Sequence, residues 1–73
     1  MQMVAQKAIT KEWLYVLGFE DYTPTEMRLD IPGRPLFRYY KHGEVMIQNQ
    51  VLPNPTRKKL VMLLKLFNAY NGG

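Results

Sequence analysis

The chain has 73 residues, of which 47% are hydrophobic and 22% charged, with no cysteine and a formal net charge of +4. This composition indicates one small folded domain rather than a disordered chain, and it excludes disulfides and thiolate metal sites. No apolar run approaches the roughly 18–20 residues of a membrane span. The opening MQMVAQKA lacks the apolar core of a signal peptide, so we expect a cytoplasmic protein.

The charges are unevenly distributed along the chain. Residues 1–30 carry five acidic and three basic side chains, whereas residues 31–73 carry seven basic side chains and one acidic side chain, Glu44. An asymmetry of this kind concerns partners and solubility rather than fold. The basic second half favours an anionic partner.

The first predicted element is a short helix. Thr10 is a good N-cap, and Ile9 and Leu14 have the spacing of a hydrophobic staple. Gly18 predicts the end of the helix, because glycine adopts the left-handed cap conformation without steric cost. Phe19 is placed to fold back onto Leu14, as in a Schellman ending.

Three strands are predicted after this helix. Residues Glu20–Pro24 are expected to form a loop, and the alternation of apolar and polar residues over Met27–Ile31 is typical of a half-buried strand. A second strand is predicted over Leu36–Lys41 and a third over Glu44–Val51. The turn residues His42-Gly43 predict a hairpin between the last two strands.

Two registers of this hairpin are possible. A two-residue loop would place Arg38 opposite Ile47 and aim Arg38 at the core, whereas a three-residue loop with Gly43 left-handed is expected to place Tyr39 opposite Ile47 and Arg38 opposite Gln48. A slip of one residue exchanges the two faces of a strand, so burial of apolar residues favours the second register. That register predicts an apolar face of Phe37, Tyr39, Val45 and Ile47. It predicts an opposite, polar face of Arg38, Tyr40, Gln48 and Gln50.

The last predicted element is a second helix. Asn54 is expected to be its N-cap and Pro55 its first residue, and the helix is expected to run to about Tyr70. Its core-facing residues follow helical spacing: Leu60, Leu63, Leu64 and Phe67. Three further apolar residues widen this arc beyond what one layer requires: Met62, Leu66 and Tyr70.

These elements predict a two-layer α+β fold with the order helix, three antiparallel strands, helix (αβββα). Both helices should cover the same face of the sheet, because nothing else can bury their apolar sides. The other face is left open. We expect one domain over residues 9–73. It is preceded by an arm over residues 1–8, in which apolar residues show no regular spacing.

The sequence offers little for catalysis. Its single histidine, His42, lies in a predicted turn, and its six acidic residues are scattered, whereas a metal site needs several converging ligands. No glycine-rich phosphate loop occurs. We therefore expect a binding protein with no enzymatic activity, no cofactor and no metal.

The leading hypothesis is weak association with nucleic acid through the basic second half. Exposed aromatic rings stack on bases, and neighbouring basic side chains neutralise phosphate. The alternative for these surfaces is simple solvation, and Glu26 and Asp30 on the same sheet face would repel phosphate. The candidate residues are Arg28, Arg38, Tyr40 and Gln48 on the open face, Lys41 beside Tyr40 in the chain, and Arg57, Lys58 and Lys59 at the start of the second helix.

The competing hypothesis is a protein-interaction module, either a homodimer or a factor that docks on a host protein. It depends on the apolar residues Met62, Leu66 and Tyr70, which form a contact surface unless they pack beneath the first helix and the N-terminal arm. For a domain this small, dimerisation would be a natural source of additional stability.

The stretch ITKEWLYVLGFED (Ile9–Asp21) resembles the opening of small proteins of unknown function that are encoded by bacterial phages and integrated mobile elements. Those proteins begin with a Thr-x-Glu-Trp-Leu segment that ends in Leu-Gly-Phe. The resemblance implies an intracellular bacterial or phage setting and a compact α+β fold, and it implies no functional residue.

Overall fold

The computed structural model describes residues 8–71 as two helices and one antiparallel sheet. The predicted arm, except for Ala8, lies outside these described residues. The sheet has five strands in the order β1-β2-β3-β4-β5, so each strand pairs with its neighbours in the chain. The elements are α1 (Lys11–Leu17), β1 (Glu20–Thr23), β2 (Glu26–Leu29), β3 (Phe37–Tyr40), β4 (Val45–Ile47), β5 (Gln50–Val51) and α2 (Arg57–Leu66).

The α+β class is as expected, but the three-stranded αβββα arrangement is wrong. The predicted loop Glu20–Pro24 contains β1, which pairs with β2. All four residues of β1 are exposed, so this strand lacks the apolar alternation by which strands are identified in a sequence. The predicted third strand is interrupted at Gln48, whose φ of 57° starts a two-residue turn between β4 and β5.

The ends of α1 confirm the predicted capping residues. The Thr10 hydroxyl accepts a hydrogen bond of 3.2 Å from the Trp13 amide. Gly18 is left-handed with a φ of 101°, and the amide of Phe19 donates to the Leu14 carbonyl at 3.0 Å. This is the Schellman ending, in which the residue after the glycine folds back against the last turn.

The limits of α2 differ from the prediction. Its N-cap is Thr56, whose hydroxyl accepts from the Lys59 amide at 3.1 Å, whereas Asn54 has a φ of 49° and cannot serve as an extended cap. The helix ends at Leu66 rather than near Tyr70, because Asn68 is left-handed with a φ of 62°. Because the helix begins later and ends earlier than predicted, it has ten residues.

The β3–β4 hairpin has the predicted three-residue loop. The Gly43 amide donates to the Tyr40 carbonyl at 2.7 Å, and the Tyr40 amide donates to the Glu44 carbonyl at 2.8 Å. Gly43 has a φ of 104°, which glycine adopts readily and other residues rarely do. Residues 41–43 therefore form a three-residue loop that ends in a left-handed glycine, a common hairpin connection.

The faces assigned to the residues of β3 and β4 are confirmed, but the predicted partners are wrong by two residues. The assignment of Gln50 to the polar face is wrong, because Gln50 pairs with Ile47 of the apolar face. Tyr39 lies opposite Val45 rather than Ile47, and Ile47 lies opposite Phe37. Arg38 lies opposite Met46 rather than Gln48. A displacement of two residues conserves the face of every side chain, because side chains alternate with a period of two.

One apolar core lies on the face of the sheet that carries Phe37. Both helices contribute leucines to this core, so both helices pack against the same face, which we call the inner face. The buried residues are Leu14, Leu17, Phe19, Met27, Leu29, Phe37, Val45, Leu60, Leu64 and Ala69. The opposite, outer face is not covered by any described element.

Candidate nucleic-acid interface

The outer face is formed by the strand residues that alternate with the core residues. Strand pairing places Arg28 directly opposite Arg38, and Arg38 directly opposite Met46. The same pairing places Glu26 opposite Tyr40. Two arginines and a tyrosine predicted for one surface are therefore brought together there.

Arg28 has both a carboxylate and an aromatic partner on this face. Its Nε lies 2.6 Å from Glu26 Oε2, and its guanidinium carbon lies 3.5 Å from the centre of the Tyr22 ring. The hydrogen bond to Glu26 raises the pKa of Arg28 above its usual value. The charge of Arg28 is thus largely neutralised by a neighbour within the face.

Arg38 has no such carboxylate among residues 8–71. Its guanidinium donates to the Gln48 carbonyl at 2.6 Å and to the Tyr40 hydroxyl at 3.3 Å, and its Nε is buried without a hydrogen-bond partner. Both acceptors are neutral groups. Arg38 is therefore the uncompensated positive charge at the centre of the outer face.

Aromatic rings stand on both sides of the two arginines. Tyr40 stacks on His42 with ring centres 5.8 Å apart and an interplanar angle of 18°. Tyr22, on the edge strand β1, is 59% exposed. The sequence does not predict Tyr22 or His42 as part of the site, because Tyr22 falls in a predicted loop and His42 in a predicted turn.

Two other candidate residues lie elsewhere. Gln48 is in the β4–β5 turn, and its backbone carbonyl accepts a hydrogen bond from Arg38. Lys41 follows β3 and lines a shallow pocket with Lys11, Met27 and Tyr39 on the inner-face side. The prediction that Gln48 lies on the open face is therefore wrong, and Lys41 remains a candidate that lies away from that face.

The basic cluster at the start of α2 is not joined to the outer face. Arg57 donates from Nε to the Ala8 carbonyl at 2.8 Å and stacks over the Trp13 ring at 4.7 Å, which ties α2 to the beginning of α1. Lys59 donates from Nζ to the Pro53 carbonyl at 3.2 Å, and Lys58 is exposed. Because both helices cover the inner face, this cluster lies in the opposite layer from Arg38.

The three apolar residues proposed as an interface are exposed. Met62 is 61% exposed and Leu66 is 72% exposed on α2, so neither packs beneath α1 among the described residues. Tyr70 lies beyond the end of α2, with the Lys65 ammonium 5.0 Å from its ring centre. Met62 and Leu66 therefore share one helical stripe, and Tyr70 lies outside it.

Comparison with protein-family models, with curated proteins and with solved structures finds no match to this chain. Within residues 8–71, no three histidine or acidic side chains converge as a metal site would require. None of the helices in this part of the chain has the length and apolarity needed to cross a membrane.

Proposed function

We propose that this protein binds single-stranded nucleic acid weakly through the outer face, with Arg28 and Arg38 as phosphate contacts and Tyr22 and Tyr40 as stacking surfaces. The observation that carries the proposal is the direct pairing of Arg28 with Arg38 on an uncovered sheet. Like charges directly opposite one another destabilise an antiparallel pair. Glu26 offsets the charge of Arg28 but not that of Arg38, so a bound phosphate would meet the uncompensated charge of Arg38.

The aromatic residues favour a single strand over a duplex. Flat rings on an open sheet can stack only on bases that are not already stacked in a helix, and such stacking tolerates any sequence. Tyr22 contacts Arg28 and Tyr40 contacts Arg38, on strands β1 and β3 with β2 between them. Glu26 limits the affinity, because its carboxylate opposes phosphate and competes for Arg28.

The proposal is tested by titrating labelled single-stranded and duplex oligonucleotides at low and high salt and following fluorescence anisotropy. We expect binding of the single strand that weakens as salt rises, because phosphate contacts release counterions. Absence of binding at low salt, or binding that salt leaves unchanged, would falsify the proposal.

Single substitutions test which surface of the protein binds the oligonucleotide. Arg38→Gln is expected to weaken single-strand binding and to lower the slope of log affinity against log salt by about 0.7, the value of one phosphate contact on a single strand. Lys58→Gln is the matched control, because it removes the same charge from the helical layer. Equal losses for the two variants would mean that net charge rather than the outer face attracts the oligonucleotide.

Tyr40→Leu tests separately how much base stacking contributes to the affinity. Leucine conserves apolar cover over the sheet but removes the ring, so single-strand affinity should fall about tenfold while the salt slope is conserved. Phe at the same position conserves the ring and should bind nearly as well as the parent. Loss of binding with Tyr40→Phe would instead assign the effect to the hydroxyl that accepts from Arg38.

A second candidate function is protein interaction through α2, as a homodimer or by docking on another protein. The observation that favours it is the high exposure of Met62 and Leu66 next to the partly buried Leu63. Light scattering over a concentration series separates the two versions. A mass that increases with concentration supports the homodimer, and a constant monomer mass leaves a foreign partner.

A further inference from the structure

An apolar groove runs between α2 and the β4–β5 hairpin. Its volume is about 480 Å³. The groove is lined mainly by apolar residues: Pro35, Ile47, Val51, Leu52, Leu63 and Phe67.

This groove continues onto the exposed stripe of α2. Leu52 and Leu63 belong both to the groove and to an adjoining depression that includes Met62 and Leu66. The continuous apolar surface, which we call the α2 groove, is therefore concave at the hairpin and open along the helix. Such a shape accommodates an amphipathic segment better than it accommodates a flat surface.

The charges around the α2 groove have a single sign. Lys58, Lys59 and Lys65 are each three or four positions from Met62, so they flank it on the helix surface. Lys59 also lines the depression itself. No acidic residue occurs anywhere in residues 45–71. A partner with acidic residues beside its apolar anchors would therefore meet complementary charge along this surface.

We propose that the α2 groove docks an apolar segment with acidic flanks that belongs to another protein. This inference rests on the second candidate function and adds the chemistry of the partner. A second copy of this chain fits less well, because α2 has no acidic residue and α1 has only Glu12, which Lys11 balances. Val16 is 65% exposed, but the Tyr15 hydroxyl is already bound to Asp21 at 2.7 Å.

The test uses two synthetic helical peptides with leucines at positions i, i+3, i+4 and i+7. The first carries glutamate at all other exposed positions, and the second carries glutamine there. Calorimetry at low salt should show the glutamate peptide binding about tenfold more tightly than the glutamine peptide, a difference that high salt removes. Titration of the labelled protein by NMR should move the amide signals of α2 and β5.

Two variants assign the binding to this surface. Leu66→Gln should weaken binding of the glutamate peptide about tenfold, because it places a polar group in the centre of the apolar stripe. Val16→Gln is the matched control, since Val16 is similarly exposed but lies on α1. Circular dichroism of both variants verifies that the helices are retained. Equal losses for the two variants would overturn the assignment.

The remaining outcomes also decide the proposal. Equal affinity for the two peptides would overturn the acidic chemistry while leaving the docking function intact. Binding of neither peptide by a protein that stays monomeric would overturn the docking function as well. A mass that increases with concentration would mean that a second copy occupies the α2 groove. Binding to anionic lipid vesicles but to neither peptide would mean that the α2 groove contacts a membrane surface.

Discussion

The inner and outer faces of the sheet are made by the same strands, yet different forces determine them. On β3, Phe37 is completely buried, whereas its neighbour Arg38 contacts polar groups at the surface. Packing against two helices specifies the inner face, so its residues are limited to apolar side chains of the correct volume. No element within residues 8–71 covers the outer face, and its arginines and tyrosines are held by hydrogen bonds and by contacts between cations and aromatic rings. This difference is the reason why we propose the outer face as the binding surface.

The largest contrast is expected between two adjacent substitutions. Phe37→Ala should lower the free energy of unfolding by about 3–5 kcal/mol, because it removes a buried ring at the centre of the core. Arg38→Ala, one position along, should lower it by less than about 1 kcal/mol. Urea denaturation followed by circular dichroism measures both changes.

A graded variant keeps this contrast measurable if Phe37→Ala does not fold. Phe37→Leu should cost less than about 1.5 kcal/mol, since it conserves most of the volume. A loss at Arg38 equal to the loss at Phe37 would mean that the outer face is also packed, which would contradict its assignment as a free surface.

The next largest loss of stability is expected in the loop that joins β3 to β4. Gly43→Ala should cost about 1–2 kcal/mol, because alanine is disfavoured at the positive φ of this position. A Cβ at Gly43 would meet no atom within 4 Å, so the cost should arise from the backbone rather than from a clash. Thermal denaturation measures this loss. Gly43→Asn should cost less, since asparagine tolerates positive φ better, and an asparagine variant less stable than alanine would contradict this account.

A smaller loss of stability is expected at the N-cap of α2, one of the two helices that cover the inner face. Thr56→Ala should lower the free energy of unfolding by about 1 kcal/mol, because the Lys59 amide loses its acceptor. Thr56→Ser retains a hydroxyl at the same position and should restore the stability. If serine is no better than alanine in chemical denaturation, the loss comes from the methyl group and not from the cap.

The smallest effect concerns the link between α1 and β1, which fixes the edge of the outer face. The Tyr15 hydroxyl donates to Asp21 at 2.7 Å and lowers the pKa of the Asp21 carboxyl below its usual value. Because the folded pKa lies below the unfolded one, this contribution is present above the unfolded pKa and is lost as the pH falls through the folded pKa. Tyr15→Phe should bring the pKa of Asp21 back towards its ordinary value.

Carboxyl chemical shifts in an NMR pH titration measure the pKa of Asp21 in the parent and in Tyr15→Phe. Asp21→Asn should show a shallower loss of stability than the parent between about pH 4 and the more acidic range. The Lys11 ammonium, 3.4 Å from Asp21, is retained in Tyr15→Phe and should conserve part of the shift. A pKa that Tyr15→Phe leaves unchanged would assign the effect to Lys11 alone.

The candidate site could be predicted in part. Alternation along β2 and β3 correctly placed Arg28, Arg38 and Tyr40 together, because the period of a strand determines which side chains share a face. Tyr22 was missed, since an edge strand exposed on both faces has no apolar pattern to identify it. The Arg57–Lys59 cluster could not be placed, because its position depends on contacts with α1, more than forty residues away in the chain.

The sequence by itself determined both ends of α1, the three-residue hairpin loop and the division of β3 and β4 into apolar and polar faces. Each of these depends on residues within a few positions of one another, where capping, glycine conformation and side-chain period act directly. Only the tertiary structure decided that β1 joins the sheet, that α2 starts at Thr56 and that Met62 and Leu66 remain exposed. These features depend on how separate elements pack, and the same local pattern is compatible with more than one packing.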